Sequence, residues 1–596
     1  MTSGQSAEVR AGTLDEGLTN GRQLLAAHPE LALQQAETLL KLGPDPRVLR
    51  LAAAAHRQLG DTKKAEAAEI VAIEAAIPDP RLKAASIAEI EGRSEEASMI
   101  AAAYLREQPD DLLALTISAE TAVSARALEP AEKMLRHILA RAPQFVRAAM
   151  ILAKCLLFQS RLPEAVEVVE QVLKRKPNDP VALRLHARLL ADTRHYDESA
   201  AVWERLIALD DREIDLWINY ASTLRFMGRR QDAELALRRG LSMIPGHGGC
   251  WWQLADLTGG ALSDRDLAAM QSALVQSDTN LIDATNLNFA IGLVFDQRGQ
   301  HEQAFQHFAA GNAGRLEVQP YDPAELTEEI DKACALFTPG FFAGHAAAGN
   351  RDSSPIFIVG MPRSGSTMIE RILGRHSKIE ACGELPIMPR ITEQLIGEAG
   401  GRKRDRGSIA NISDAKIAEL SAAFLTRSRP FRHTDKPRFT DKLHMNWRYL
   451  GLIRLLLPNA RIIDVRRNAL DCCWSNFKTQ FAQGHPGANG FTHLGRFYRD
   501  YVRMMDHMTS VAPANILHVT YEDVVDDVGR ETRRILDFLG LEFEPDCLDF
   551  HLSSEPVATA SSEQVRRPLN REGIGASAPY RQWLDPLVDA LGPLAD

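Results

Sequence analysis

A period of 34 residues runs through the first half of this chain. Pro109, Pro143 and Pro177 stand 34 apart, and two further steps reach Asp211 and Pro245. Upstream, Pro44 and Pro78 repeat the interval, as do Pro46 and Pro80, whereas Pro78 to Pro109 is a step of 31. A second series, Ala131, Ala165, Ser199 and Ala233, keeps the same interval. Each of these lies early in the second helical stretch of its unit, where a small side chain lets two helices approach closely. Gly60 and Gly299 mark outlying units. Self-similarity at a fixed period argues against one irregular bundle and for stacked helix pairs, each burying its apolar face on the next. Residues 246–285 break the period and read as an irregular insertion.

The pattern resembles the tetratricopeptide repeat, two antiparallel helices in 34 residues. The resemblance implies an all-α solenoid over residues 15–315 with a concave face. Three uses of that face stay open: docking a protein partner, holding an acceptor peptide, or pairing two copies as a homodimer.

The bulk numbers exclude some classes. Net charge is −10, so no global basic footprint points to nucleic acid. No apolar run approaches the roughly 18 residues of a membrane helix, and the N-terminus lacks a signal pattern. The seven cysteines are scattered and odd in number. They read as reduced thiols in a cytoplasmic protein.

Composition shifts after the array. Residues 316–354 read as a connection, Gly-, Ala- and Ser-rich at its end. From 355 to 596, short apolar runs (356–359, 460–465, 514–521) alternate with helical patterns, which predicts a parallel sheet with helices on both faces. Residues 388–430 read as a helical cap over the site. The expected fold class is therefore multidomain: a repeat solenoid, then a three-layer α/β domain of P-loop-like form.

The second domain opens on PIFIVGMPRSGSTMIERIL, residues 355–373. A strand, a turn rich in small residues and a helix direct backbone N–H groups and a helix N-terminus at a phosphate. Gly360 and Gly365 have the spacing of the nucleoside-triphosphatase loop, but Ser366 stands where that loop has its lysine. A triphosphate needs that lysine and Mg²⁺. A less charged sulfuryl donor can manage without metal, and Arg363 is the cation offered within the turn. A kinase-like reading is thereby disfavoured.

PRSGST after an apolar strand resembles the 5′-phosphosulfate loop of sulfotransferases, in particular tyrosylprotein sulfotransferases and their bacterial relatives. The resemblance implies 3′-phosphoadenosine 5′-phosphosulfate as donor, no metal, and adenosine 3′,5′-bisphosphate as product. It assigns Arg363, Ser364, Gly365, Ser366 and Thr367 to the 5′-phosphosulfate. Arg467 and Ser475, eight apart, fall to the 3′-phosphate, with Arg466 as an alternative. In ACGELP, Glu384 takes the role of general base, although the family has two consecutive Glu here and its base is the second. In FTDKLHMN, Lys442 stabilises the leaving oxygen, together with Arg363 and Ser561; Lys436 has the same local form. The family's bridging Cys two residues before that Lys is here Thr440, leaving Cys382 unpaired. SSEQVRRPLN resembles the family's nucleotide-closing run. It puts Ser561 at the reacting group and Gln564, Val565 and Arg566 at the donor. Arg571 or Arg581 replaces a late family Lys, and Tyr521 lies beside the adenine. The acceptor implied is a hydroxyl: a protein or peptide tyrosine, or a saccharide. The alternative of another class is a non-catalytic repeat scaffold with a degenerate nucleotide fold.

Overall fold

The computed structural model describes residues 8–9, 13–276, 279–398, 407–481, 485–553, 555–559 and 562–595. The chain divides into two compact units, Met1–Leu189 and Leu190–Asp596.

The first unit is built of helix pairs, from Leu14–Leu25 with Pro29–Leu40 to Val146–Phe158 with Leu162–Arg175. The prolines act at opposite ends of helices. Pro46 and Pro80 occupy first-turn positions behind the capping carboxylates of Asp45 and Asp79, where a missing N–H costs nothing. Pro109, Pro143 and Pro177 follow the ends of helices at Glu107, Arg141 and Arg175, where the next helix cannot simply continue. Ala131 and Ala165 are fully buried at the helix contacts. A third series emerges from the backbone. Arg126, Ser160, Arg194 and Gly228 have φ of 63°, 59°, 66° and 80°, one left-handed residue in each inter-helix turn. Their spacing is again 34.

In the second unit the pairs continue through Tyr196–Leu209, Ile214–Phe226, Arg230–Met243 and Gly248–Thr258. The described residues of 246–285 are largely helical. A short helix, Asp264–Leu274, stands between Gly248–Thr258 and Leu281–Gln297. It breaks the period in sequence while helix-on-helix packing continues. Leu281–Gln297 and His301–Val318 form the last hairpin. Gly292 and Gly311 permit its close approach, since a Cβ at either would fall 2.6 Å and 2.9 Å from Phe308 and Phe289 respectively.

The expected connection at 316–354 is largely structured. Helix Pro323–Leu336 lies on the later helix Phe491–Val511, with Thr327 donating to Asp500 at 2.7 Å and Glu329 paired to Arg448 at 2.5 Å.

The sheet has five strands, β1 Pro355–Gly360, β2 Ile379–Glu380, β3 Arg438–Asp441, β4 Arg461–Arg466 and β5 Ile516–Thr520. Their spatial order is β2-β3-β1-β4-β5 and the pairings are parallel. Ile356 and Ile358 join a core with Ile369, Ile372, Ile463, Val519 and Leu536. Phe357, pointing the other way, meets Phe424 with ring centroids 5.6 Å apart. Phe424 belongs to helix Asp414–Ser428, so this part of the expected cap packs on a sheet face, and the described residues of 388–430 do not line the cavity below. The order reverses at β1, and in such sheets ligands bind beyond the carboxyl ends of the strands flanking the reversal.

Candidate active site

Each strand hands a site residue to one cavity, of about 1470 Å³, as it ends. The 361–367 turn follows β1, Glu384 follows β2, Lys442 follows β3, Arg467 follows β4 and Tyr521 follows β5.

The turn after β1 is closely held. Gly360 has φ 152° and Gly365 φ 103°. A Cβ on Gly360 would lie 2.5 Å from the Val465 carbonyl, and one on Gly365 would lie 2.7 Å from the Tyr521 ring. Arg363 is itself left-handed, at φ 67°, a costly conformation for a non-glycine residue. The helix Ala469–Phe477 braces it: Asn476 donates to the Pro362 carbonyl at 2.7 Å, and Arg363 Nε donates to Ser475 Oγ at 3.2 Å. Arg363 also donates to Gln564 Oε1 at 2.8 Å. Arg467 Nη1 donates to the Arg363 carbonyl at 3.1 Å, and its guanidinium lies 5.2 Å from the Tyr521 ring centroid. Burial pushes Arg363 down to about 10, Asp256 opposes this, and the like charges of Arg467 and Arg225 add to it. Ser364 Oγ and Arg467 Nε are buried without a partner among the described residues. Clustered cations with unspent donors, around a turn whose Gly360 and Gly365 leave no room for a side chain, suit an anion with phosphate-like oxygens.

The second side of the cavity carries an acid and a base. Lys442, 1% exposed, donates to Glu384 Oε1 at 2.6 Å; a third of the Glu384 side chain faces the void. Burial opposes the charge on Glu384, but Lys442 and His444 outweigh it and hold the carboxyl below its ordinary value. The stretch bearing Glu384 is fixed by its backbone. Glu370 accepts from Gly383 N at 2.9 Å and from Thr440 Oγ1 at 2.7 Å, while Thr440 Oγ1 accepts from Cys382 N at 3.1 Å. Thus Thr440 meets Cys382 through a hydrogen bond, and both Cys382 and the other described thiols are free. Asp441 accepts from Leu385 N and Leu443 N at 3.3 Å and 3.1 Å. Its complete burial pushes its carboxyl up to about 7. His444 lines the cavity, 3.9 Å from Glu384. Its place two residues beyond Lys442 was the only sign of it in the sequence.

The other expected residues divide. Ser366, Thr367, Gln564 and Val565 line the cavity, and Ser364 lies beneath the turn, 1% exposed. Ser561 lies outside the described residues. Arg566 turns away, donating to the Phe226 carbonyl at 2.8 Å, and it is Arg567 that lines the cavity. Arg571 pairs with Asp526 and Arg581 with Asp585, each at 2.6 Å on the surface. Arg466 is held by Asp464 and Asp506. Lys436 caps the carbonyls of His376 and Ile379.

A further wall comes from the repeats, for which the sequence left holding an acceptor peptide as one of three uses. Arg194, Tyr196, Arg225, Trp252 and Asp256 all line the cavity. Arg194, the left-handed turn residue of its repeat, donates to the Ala381 carbonyl at 2.6 Å, three residues from Glu384.

Residues 355–545 match the model of the sulfotransferase family, and residues 122–189 that of the tetratricopeptide repeat. The chain carries a repeat module and a sulfotransferase domain. An uncharacterized protein of Aquifex aeolicus is 31% identical over 311 residues, 51% of this chain and 41% of that one. A putative protein-tyrosine sulfotransferase of Caenorhabditis briggsae is 26% identical over 224 residues, covering 37% of this chain and 79% of its own. Protein-tyrosine sulfotransferase A of Caenorhabditis elegans is 25% identical over 235 residues, covering 38% and 61%. The chain thus spans about two fifths of the Aquifex relative and about three fifths of the last. Among solved structures, the sulfotransferase domain of a Synechococcus olefin synthase is 18% identical, covering 39% of this chain and 96% of that one, with a TM-score of 0.26. Among the described residues no helix is long and apolar enough to cross a membrane.

Proposed function

We propose that this chain transfers a sulfuryl group from 3′-phosphoadenosine 5′-phosphosulfate to an acceptor hydroxyl, that of a tyrosine in a protein or peptide. The observation that carries this reading is a single cavity with a cationic turn at one side and an ionised, lysine-held carboxylate at the other. The donor's 5′-phosphosulfate would be held by the turn and Arg363, and its 3′-phosphate by Arg467 and Ser475. Glu384 takes the hydroxyl proton as the acceptor oxygen bonds to sulfur. The bond from sulfur to the 5′-phosphate oxygen breaks, and Lys442 stabilises the charge left there. A sulfate ester and adenosine 3′,5′-bisphosphate result. The similarity to proteins named as protein-tyrosine sulfotransferases supports a phenolic acceptor. The free thiols suit a reducing, cytoplasmic setting.

Glu384→Gln tests the reading. Loss of a general base costs about 10²–10⁴ in turnover, while binding of the bisphosphate, measured by calorimetry, stays close to wild type. Turnover at the wild-type rate in this variant would remove Glu384 as the base. Tight binding of ATP in place of the bisphosphate would remove the donor assignment.

A further inference from the structure

The repeat helix Ile214–Phe226 ends against the segment that closes the sulfotransferase cavity. The Phe226 carbonyl accepts from Val557 N at 3.0 Å and from Arg566 Nη2 at 2.8 Å. Arg225 Nε donates to Ser562 Oγ at 3.2 Å. Two residues on, the same segment presents Gln564, whose Oε1 accepts from Arg363. The following turn residue, Gly228, has φ 80°, and a Cβ there would lie 2.9 Å from the Arg566 guanidinium. One repeat thus latches the segment at three hydrogen bonds.

Arg225 is placed to do more than latch. It lines the cavity together with Arg363 and Arg467, and its Nη2 pairs with Asp256 at 2.7 Å, both side chains being mostly buried. The structure gives Nη1 no partner among the described residues. A guanidinium offers five donors in a rigid fork suited to phosphate and sulfate oxygens. Asp256 keeps 24% of its side chain exposed and lines the same cavity, so water can solvate its carboxylate when Arg225 turns to an anionic ligand, which lowers the cost of parting the pair. The electrostatic effect of Arg225 already reaches Arg363.

We propose that Arg225 is a donor-binding residue supplied by the repeat module, a guanidinium held ready by Asp256 and Ser562 that turns to an anionic group of the phosphosulfate donor. The proposal rests on the donor assignment above. It makes the donor pocket composite: a solenoid that the sequence offers as a docking array completes a nucleotide site.

The test is calorimetry of adenosine 3′,5′-bisphosphate binding to the full chain, with melting temperatures recorded for each variant. Arg225→Gln removes one charge-assisted contact and weakens binding about tenfold. Asp256→Asn releases Arg225 from its competitor and tightens binding by about threefold. A merely structural Arg225–Asp256 pair predicts the opposite for the second variant, a loss in both. Equal weakening by the two, or Arg225→Gln within twofold of wild type, overturns the proposal while leaving the donor assignment standing. Should Arg225→Gln fail to fold, Asp256→Asn decides alone: tighter binding supports the proposal and any other result overturns it. Wild-type protein that binds no bisphosphate overturns the donor assignment and this proposal with it.

Discussion

Glu384 owes its charge to its neighbours. Burial alone would favour the neutral acid; Lys442 and His444 reverse that and hold the carboxyl below its ordinary value. A base works when ionised, so the acid limb of the pH–rate profile should lie below the ordinary Glu value of about 4.3. The associated stability is present above that ordinary value and is lost as pH falls through the lower, folded one. His444→Gln removes part of the stabilising field, and the limb of kcat/KM should move to higher pH. Lys442→Met removes the larger part, and the residual rate should show a limb at higher pH still than in His444→Gln. A limb that stays in place in both variants would mean that another group takes the proton. The residues of this chemistry were legible in the sequence because each follows a strand closely, and a strand end fixes where a side chain points. Arg363, Glu384, Lys442 and Arg467 reach the cavity for that reason, and Ser475 reaches it from the helix that follows β4. Arg566 and Arg571 lie in turns far from a strand end. Their directions are set by partners distant in sequence, Phe226 and Asp526.

Elements announced by strong periodicity were legible, and one overshadowed by the Gly- and Ala-rich stretch beside it was not. The interval of 34 fixes the helix pairs because each unit buries the same small residue, Ala165 as completely as Ala233. Helix Pro323–Leu336 escaped notice because the Gly- and Ala-rich stretch after it dominates the composition. Its attachment is specific, however. Phe337, at the C-terminal cap of that helix, is fully buried. It lies so close to the backbone of helix Leu450–Leu456 that a Cβ on Gly451 would fall 2.1 Å from its ring. Gly451→Ala should therefore destabilise the protein by about 1–3 kcal/mol, the usual cost of overpacking. Denaturant unfolding followed by tryptophan fluorescence measures it. A neutral result would mean that the segment is loosely attached, as the sequence alone suggested. Helix Asp414–Ser428 is the converse case. Its helical pattern was visible, but the surface it covers was not, because that depends on Phe424 meeting Phe357 across the sheet.

At the scale of the molecule, the boundary by similarity and the boundary by packing fall in different places. The sulfotransferase match begins at 355, whereas the compact unit begins at Leu190. The reason lies in what the intervening helices cover. Trp474, fully buried, is flanked by Phe305 and Phe308 at centroid distances of 6.4 Å and 6.0 Å, and Phe305 stacks on Trp583 at 5.0 Å. Asn312 donates to the Phe477 carbonyl at 2.8 Å, and Asp296 pairs with Lys478 at 2.9 Å, so the end of the helix that carries Ser475 is capped by the last hairpin. A fragment of residues 355–596 would bare these aromatics, at about 1.5–3 kcal/mol for each large side chain returned to water. Against a typical total stability of about 5–15 kcal/mol, that loss leaves little margin, and the 555–567 segment loses its latch at Phe226 as well. A fragment of residues 180–596 keeps helix Pro180–Asp192 intact, along with every contact just named. It should fold and bind adenosine 3′,5′-bisphosphate within about threefold of the full chain, while 355–596 should aggregate or bind more than about tenfold less tightly. Size-exclusion chromatography followed by calorimetry distinguishes the two. Full affinity in the shorter fragment would show that the anion site is complete without the repeats. Loss of affinity on removing only residues before 180 would place a requirement in the first unit instead.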